Sequence, residues 1–177
     1  MRRLTVILAL ATAIVVPAIA AAGTGGAGDG SLVVKNGQAP YTPGVAGGTP
    51  VVQLTITGSV IGQVGGTGKL VIDAGPNADP NSEPIVTGAG LPSDSKVSDT
   101  AQVWKGTGFK FRAVGGTYTV LVYGTQVNLV AVGTGTVRLA GMPDTPSGDG
   151  RYSLNGNDFV SLPGAQTDKR SIAATTG

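Results

Sequence analysis

The chain has 177 residues, with 12 basic and 10 acidic side chains, 30 glycines and 11 prolines. It contains no cysteine, so disulfide bonds cannot hold the fold together. It also contains no histidine, the commonest general base and the commonest transition-metal ligand in proteins. The composition therefore argues against zinc, copper and haem sites, and we expect no cofactor. Stability has to come from burial and backbone pairing.

The first 22 residues have the pattern of a signal peptide. Two arginines at positions 2 and 3 form a basic start, Leu4 to Val16 are apolar, and Pro17 precedes small residues that suit a signal peptidase. Cleavage after Ala20 or Ala22 fits this pattern. We expect a secreted or cell-surface protein, and an uncleaved membrane anchor is the alternative.

Removal of this segment would remove two arginines and no acidic side chain. The mature sequence would then have equal numbers of basic and acidic side chains. The basic isoelectric point is thus partly a property of the signal. No run of lysine or arginine replaces it in the mature sequence. The case for a nucleic-acid or an anionic-membrane partner thereby loses its main support, and we expect no nucleic-acid partner. We also expect no transmembrane segment in the mature chain.

The remainder divides by composition into three regions. Residues 23–50 are glycine-rich and lack periodicity, so we interpret them as a flexible start, one short strand at Ser31 to Lys35, and a linker. Residues 51–163 carry the β pattern and form the predicted β domain. Residues 164–177 are predicted to be a flexible tail.

Short runs of valine, isoleucine, leucine, threonine and aromatic residues recur between glycines and prolines, which predicts strands. Their even spacing favours an all-β fold, a two-sheet β-sandwich of about eight to ten short antiparallel strands, with a small β-barrel as the alternative. In chain order the predicted strands are Ser31 to Lys35, Val51 to Gly58, Gly68 to Asp73, Phe109 to Val114, Thr117 to Tyr123, Gln126 to Val132, Thr136 to Ala140, Arg151 to Leu154 and Asn157 to Leu162.

One segment of the chain is repeated. GGTPVVQLTITG at Gly47 recurs as GGTYTVLVYG at Gly115, and a second strand follows each copy, TGKLVI at Thr67 and TGTVRL at Thr134. The spacing between copies is nearly constant. Two related β units with pseudo-symmetry are therefore predicted, although glycine-rich strands also match by chance.

The loop from Asp73 to Glu83 reads DAGPNADPNSE and offers oxygen ligands at every second position, as calcium loops do. Pro76 and Pro80 within the loop and Pro84 directly after it restrict the backbone, and the glycine of an EF-hand turn is absent. Proline with polar residues is also ordinary turn composition. We therefore favour a turn over a calcium site.

Near the carboxyl end, RYSL and NDFVSL flank Asn155-Gly156, the dipeptide that best forms a type I′ hairpin turn. A two-residue turn places Tyr152 opposite Phe159 as a cross-strand pair. Together with Trp104, the only tryptophan, these rings would form a platform for sugars. We favour the alternative that they close the end of the core.

Enzymatic chemistry has few candidates. A serine nucleophile would need a base other than histidine, and Ser95 with Lys96 lies in a polar stretch typical of a surface loop. A carboxylate-dependent glycoside hydrolase would need paired acids, yet Glu83 is the only glutamate and the aspartates lie mostly in turn-like contexts. We therefore expect no enzymatic activity and assign no catalytic, cofactor-binding or metal-binding residue.

The segments GTGFKF, GGTYTVLVYG, VGTGTVRLAG and GRYSLNG, beginning at Gly106, Gly115, Val132 and Gly150, resemble exported glycine-rich β proteins of high-GC actinobacteria. The resemblance covers roughly the last half of the mature chain. It implies export and an all-β fold, and it carries no activity or ligand.

Together these observations predict a non-catalytic exported β domain that acts as a structural or interaction module at the cell envelope or in the medium. A carbohydrate-binding module is the first alternative, and a carboxylate-dependent hydrolase is the second. The expected partner is an envelope protein or a polysaccharide.

Overall fold

A computed structural model describes residues 29–39, 48–76, 79–88, 95–96, 99–142 and 150–174. Within these ranges, a 3-10 helix at Pro80–Ser82 is accompanied by strands β1 (Gly30–Gly37), β2 (Val52–Asp73), β3 (Ile85–Gly88), β4 (Ser95–Lys96), β5 (Ala101–Gly124), β6 (Val127–Leu139), β7 (Arg151–Leu154), β8 (Val160–Ser161) and β9 (Arg170–Ile172).

All nine strands belong to one antiparallel sheet, in the order β3-β5-β2-β6-β1-β7-β8, with β4 added to β5 and β9 added to β6. The predicted all-β class is confirmed, and the sheet is not closed into a barrel. The strands are less uniform than predicted, because several short runs merge. β2 has 22 residues and β5 has 24, and both strands run through the two parts of the sheet.

The limits of the sheet are wider than the predicted β domain. Strand β1 lies between β6 and β7, so part of region 23–50 is an interior strand. In the predicted tail, β9 pairs with β6 and Ile172 is fully buried. The predicted signal peptide lies outside the described residues. Among the residues that are described, no helix is long and apolar enough to cross a membrane.

The sheet is organised around a long ribbon of β2 and β5, which pair along nearly their whole length. The ribbon coils until its far end meets its beginning. Residues 68–73 of β2 therefore pair on one side with residues 101–106 of β5 and on the other with residues 119–124 of the same strand. This coiling turns the inward side chains of both parts of the sheet into one core.

Glycines allow the strands to approach closely where the sheet bends. Gly58 of β2 faces Gly116 of β5 on one side and Gly133 of β6 on the other. Gly58 has a φ of +150° and Gly133 a φ of +147°. A Cβ on Gly58 would overlap the carbonyl oxygen of Val132, so a side chain here would push the strands apart.

Two further glycines control which residues of β5 face inward. Gly108 and Gly115 have φ values of +70° and +76°, and each lies at a register irregularity between β2 and β5. Each one interrupts the alternation of the strand, as a β-bulge does. The residues of β5 in the core cluster therefore change from an even number at Trp104 to odd numbers after Gly108, and back to even numbers after Gly115.

The two copies of the repeat lie side by side in the sheet. Their first strands pair with Leu54 opposite Val120, and the flanking pairs Val52 with Val122 and Ile56 with Tyr118 are equivalent about that centre. The second strand of each copy then pairs with the first strand of the other copy. The two copies of the repeat are thus related by a local pseudo-twofold axis.

The hairpin near the carboxyl end has the predicted turn but a different register. Asn155 and Gly156 have φ values of +53° and +76°, as a type I′ turn requires. Tyr152 pairs with Val160, however, so the prediction that it pairs with Phe159 is wrong. Residues 157–159 leave the ladder because the Ser153 hydroxyl donates to the Asn157 carbonyl.

We predict that Gly58→Ala lowers the free energy of unfolding by about 3 kcal/mol or more, because the new Cβ meets the backbone of β6. Gly156→Ala is the matched control. Gly156 also has a positive φ, yet nothing lies within 4 Å of the point that a Cβ would occupy, so only the conformational cost of about 1 kcal/mol remains. Chemical denaturation of both variants measures the difference, and equal losses would contradict the close-approach argument.

Candidate functional site

The three aromatic side chains proposed as a sugar platform are not together. Trp104 points inward opposite Leu70 and is 7% exposed. Tyr152 is 5% exposed, and its hydroxyl accepts a hydrogen bond from Arg170 Nη1 at 2.7 Å. Both rings belong to the core, as the alternative interpretation predicted. Phe159 is half-buried, and its ring centroid lies 4.4 Å from the Lys35 ammonium.

The loop from Asp73 to Glu83 uses its carboxylates to shape the backbone. Asp73 Oδ1 accepts from the Gly75 amide at 2.9 Å, and Asp79 Oδ1 accepts from the Asn81 amide at 2.8 Å. The second contact caps the 3-10 helix at Pro80–Ser82. These bonds are typical of turns rich in aspartate and asparagine. Residues 77 and 78 of this segment lie outside the described residues.

An open cavity of about 460 Å³ lies between this loop and β5. Its polar lining includes Asp73, Asp79, Thr117 and Thr119. The floor is fixed by Tyr118, whose hydroxyl donates to the Ser82 carbonyl at 2.8 Å. Among the described residues no three histidine, cysteine, aspartate or glutamate side chains are grouped so that they could hold a metal ion. Ser95 and Lys96 form β4, and their side chains lie outside the described part of the chain.

Six threonines form an outward array on three neighbouring strands, which we call the threonine face. Thr55 and Thr57 of β2 are central, and each faces one threonine of β5 and one of β6. The Thr57 and Thr117 hydroxyl oxygens are 2.9 Å apart. Cross-strand threonine pairs stabilise exposed sheet surfaces, which is sufficient to explain this array. The complete set is Thr55, Thr57, Thr117, Thr119, Thr134 and Thr136.

Beside the threonine face, two outward side chains of the ribbon stack on each other. The Lys69 ammonium lies 4.0 Å from the ring centroid of Tyr123. Burial raises the pKa of Tyr123, and burial together with the nearby Lys105 lowers the pKa of Lys69. Tyr123 and Leu121 are both half-buried, as are Thr119 and Thr136, whereas the other four threonines of the threonine face are exposed.

A different outward surface combines positive charge with aliphatic side chains, and we call it the basic aliphatic face. It is formed by the outward residues of β1, of β7 and of the segments 59–64 of β2, 109–114 of β5 and 127–132 of β6. The cations are Lys35, Lys110, Arg112 and Arg151. The aliphatic side chains are Val33, Ile61, Val114, Val130 and Val132.

The register places Ile61, Val130 and Val33 between a pair of cations on β5 and a pair on β1 and β7. Arg112 of β5 is opposite Ile61 of β2, which is opposite Val130 of β6, which in turn is opposite Val33 of β1. Lys110 lies two residues from Arg112 on β5, and on the far side Lys35 pairs with Arg151 of β7. The other outward side chains of these segments are serine, glutamine and asparagine, so these strands add no acid to the face.

Exposure of large apolar side chains is concentrated on and beside this face. Ile61 is 41% exposed and Val114 48% exposed, and Ile85 of the neighbouring strand β3 is 46% exposed opposite Arg112. Contiguous apolar surface with a polar rim is typical of an interaction site. The sequence did not indicate this face, because Lys35 and Arg151 are distant in sequence from Lys110 and Arg112 and join them only through strand order. The available signal was alternation: Lys110, Arg112 and Val114 share one face of a strand.

Comparisons with protein families, with curated proteins and with solved structures find no match.

A calcium ion bound to the folded state would raise the melting temperature of the protein. Because we interpret the loop from Asp73 to Glu83 as a turn that binds no ion, we predict that neither calcium nor a chelator changes the melting temperature. Asp79→Ala is expected to lower the free energy of unfolding by about 1 kcal/mol through loss of the cap on Asn81. That loss should be the same with and without calcium. A rise in melting temperature with calcium that disappears in Asp79→Ala would show that the loop binds the ion.

Proposed function

We propose that the protein is a non-catalytic exported β domain that acts as an interaction module at the cell envelope, and that it binds through the basic aliphatic face. The observation that supports this proposal is the composition of that face. Four cations and five aliphatic side chains lie on five adjacent strands, and no acid interrupts them.

The charge distribution favours binding through one specific surface over non-specific binding by the whole molecule. The mature sequence carries equal numbers of basic and acidic side chains, so the whole molecule has little net charge. Concentrating four cations on one face produces a local positive potential that attracts anionic partners. The exposed aliphatic centre adds apolar area that a partner would remove from water.

The rigidity of the sheet also supports this role. Inward neighbours of the face, among them Val60, Phe111 and Leu129, are core residues with at most 3% exposure. The outward side chains therefore project from a backbone that is paired on both sides over β2, β6 and β1. A binding surface on such strands needs little ordering when a partner binds.

We predict that Ile61→Asp moves the protein from the envelope fraction of producing cells to the medium, because it places a carboxylate at the centre of the face. Thr55→Asp is the matched control, since it introduces the same side chain at an outward position of the same strand on the threonine face. Quantitative immunoblots of both fractions measure the distribution, and melting curves check that both variants fold. If Ile61→Asp and Thr55→Asp distribute alike, the face does not retain the protein.

A further inference from the structure

We infer that the partner of the basic aliphatic face is an anionic lipid surface. This inference rests on the proposed function and goes beyond it by naming the chemistry of the partner.

The first argument is the arrangement of charge around the aliphatic centre. Strands lie about 4.8 Å apart, so β5, which carries Lys110 and Arg112, is about 14 Å from β1, which carries Lys35. Ile61 and Val130 lie between Arg112 and Val33, whereas Gln63 and Asn128 continue the row that begins at Lys110. Cations thus stand on two opposite sides of an apolar strip. A layer of anionic headgroups offers charge everywhere in its plane and acyl chains beneath, which matches both parts of this pattern.

The second argument is that stable binding to a bilayer requires two contributions, apolar contact and positive charge. Apolar contact alone gives marginal binding to a bilayer, and basic residues alone are screened by salt. Here the two are adjacent in the sheet, because Arg112, Ile61, Val130 and Val33 occupy consecutive register positions and Lys35 follows Val33 by two residues on β1. Insertion of short aliphatic side chains to headgroup depth would bring the cations to the phosphate level.

The third argument is the position of Phe159. Its half-buried ring lies beside the Lys35 ammonium, at the rim of the face. Aromatic rings and lysines with long apolar stems are suited to the boundary between water and acyl chains. A soluble polyanion would engage the cations equally well, but it would gain little from Ile61, Val130 or the phenyl ring.

The test measures binding of the purified full-length exported protein to lipid vesicles by flotation. We expect the protein to bind vesicles that contain phosphatidylcholine and phosphatidylglycerol and not to bind vesicles of phosphatidylcholine alone. High salt should dissociate the protein from the anionic vesicles. The double substitution Lys110→Gln with Arg112→Gln should weaken binding about thirtyfold, the equivalent of about 1 kcal/mol per cation. Lys69→Gln with Lys105→Gln is the matched control, because it removes two lysines that face each other outside the basic aliphatic face and should leave binding within about twofold.

A second pair of measurements separates lipid from a soluble polyanion. Ile61→Ser with Val130→Ser should weaken vesicle binding and leave retention on an immobilised anionic polysaccharide unchanged. The lipid inference is overturned if anionic vesicles do not bind, or if the two lysine controls weaken binding as much as the Lys110 and Arg112 pair. Release of Ile61→Asp from the envelope without any vesicle binding would preserve the proposed function and exclude lipid as the partner. Equal fractionation of Ile61→Asp and Thr55→Asp would instead reject the proposed function itself.

Discussion

The close approach of three strands at Gly58 is the constraint on which the rest of the structure depends. Gly58 has a glycine opposite it on both neighbouring strands, and there is no room for a Cβ between it and the backbone of β6. The strands bend here instead of continuing straight. Because β2 and β5 are each more than 20 residues long, the bend lets one ribbon build both parts of the sheet around a single core.

The same ribbon determines what the surface presents. Bulges at Gly108 and Gly115 reverse the alternation of β5, so that Phe109, Phe111 and Ala113 point into the core. Lys110, Arg112 and Val114 consequently point outward. Pairing then aligns them with the outward residues of β2, β6, β1 and β7. The basic aliphatic face is therefore a product of register and bulge position, and a shift of one residue in β5 would bury its two cations.

Much of the fold was predictable from the sequence, because glycine spacing and β-branched residues indicate strands directly. The Asn155-Gly156 turn and the related repeat units were recognised for the same reason. The pairing of Tyr152 was wrong because the bond from Ser153 to the Asn157 carbonyl ends the ladder, and no turn rule includes it. The joining of short runs into β2 and β5 was missed because glycine ends strands in most sequences, whereas here it bends them. The candidate face depends on contacts between distant strands, and one sequence gives no information on strand order.

The central claim, that the basic aliphatic face meets a membrane while the threonine face does not, has a direct test because the chain contains no cysteine. Single cysteines introduced by Ile61→Cys and Thr55→Cys carry an environment-sensitive fluorophore on the same strand, one on each face. With phosphatidylglycerol vesicles, the fluorophore at position 61 should brighten and shift its emission to shorter wavelength, and the one at position 55 should not change. A response at position 55 alone, or the same response at both positions, would contradict the account.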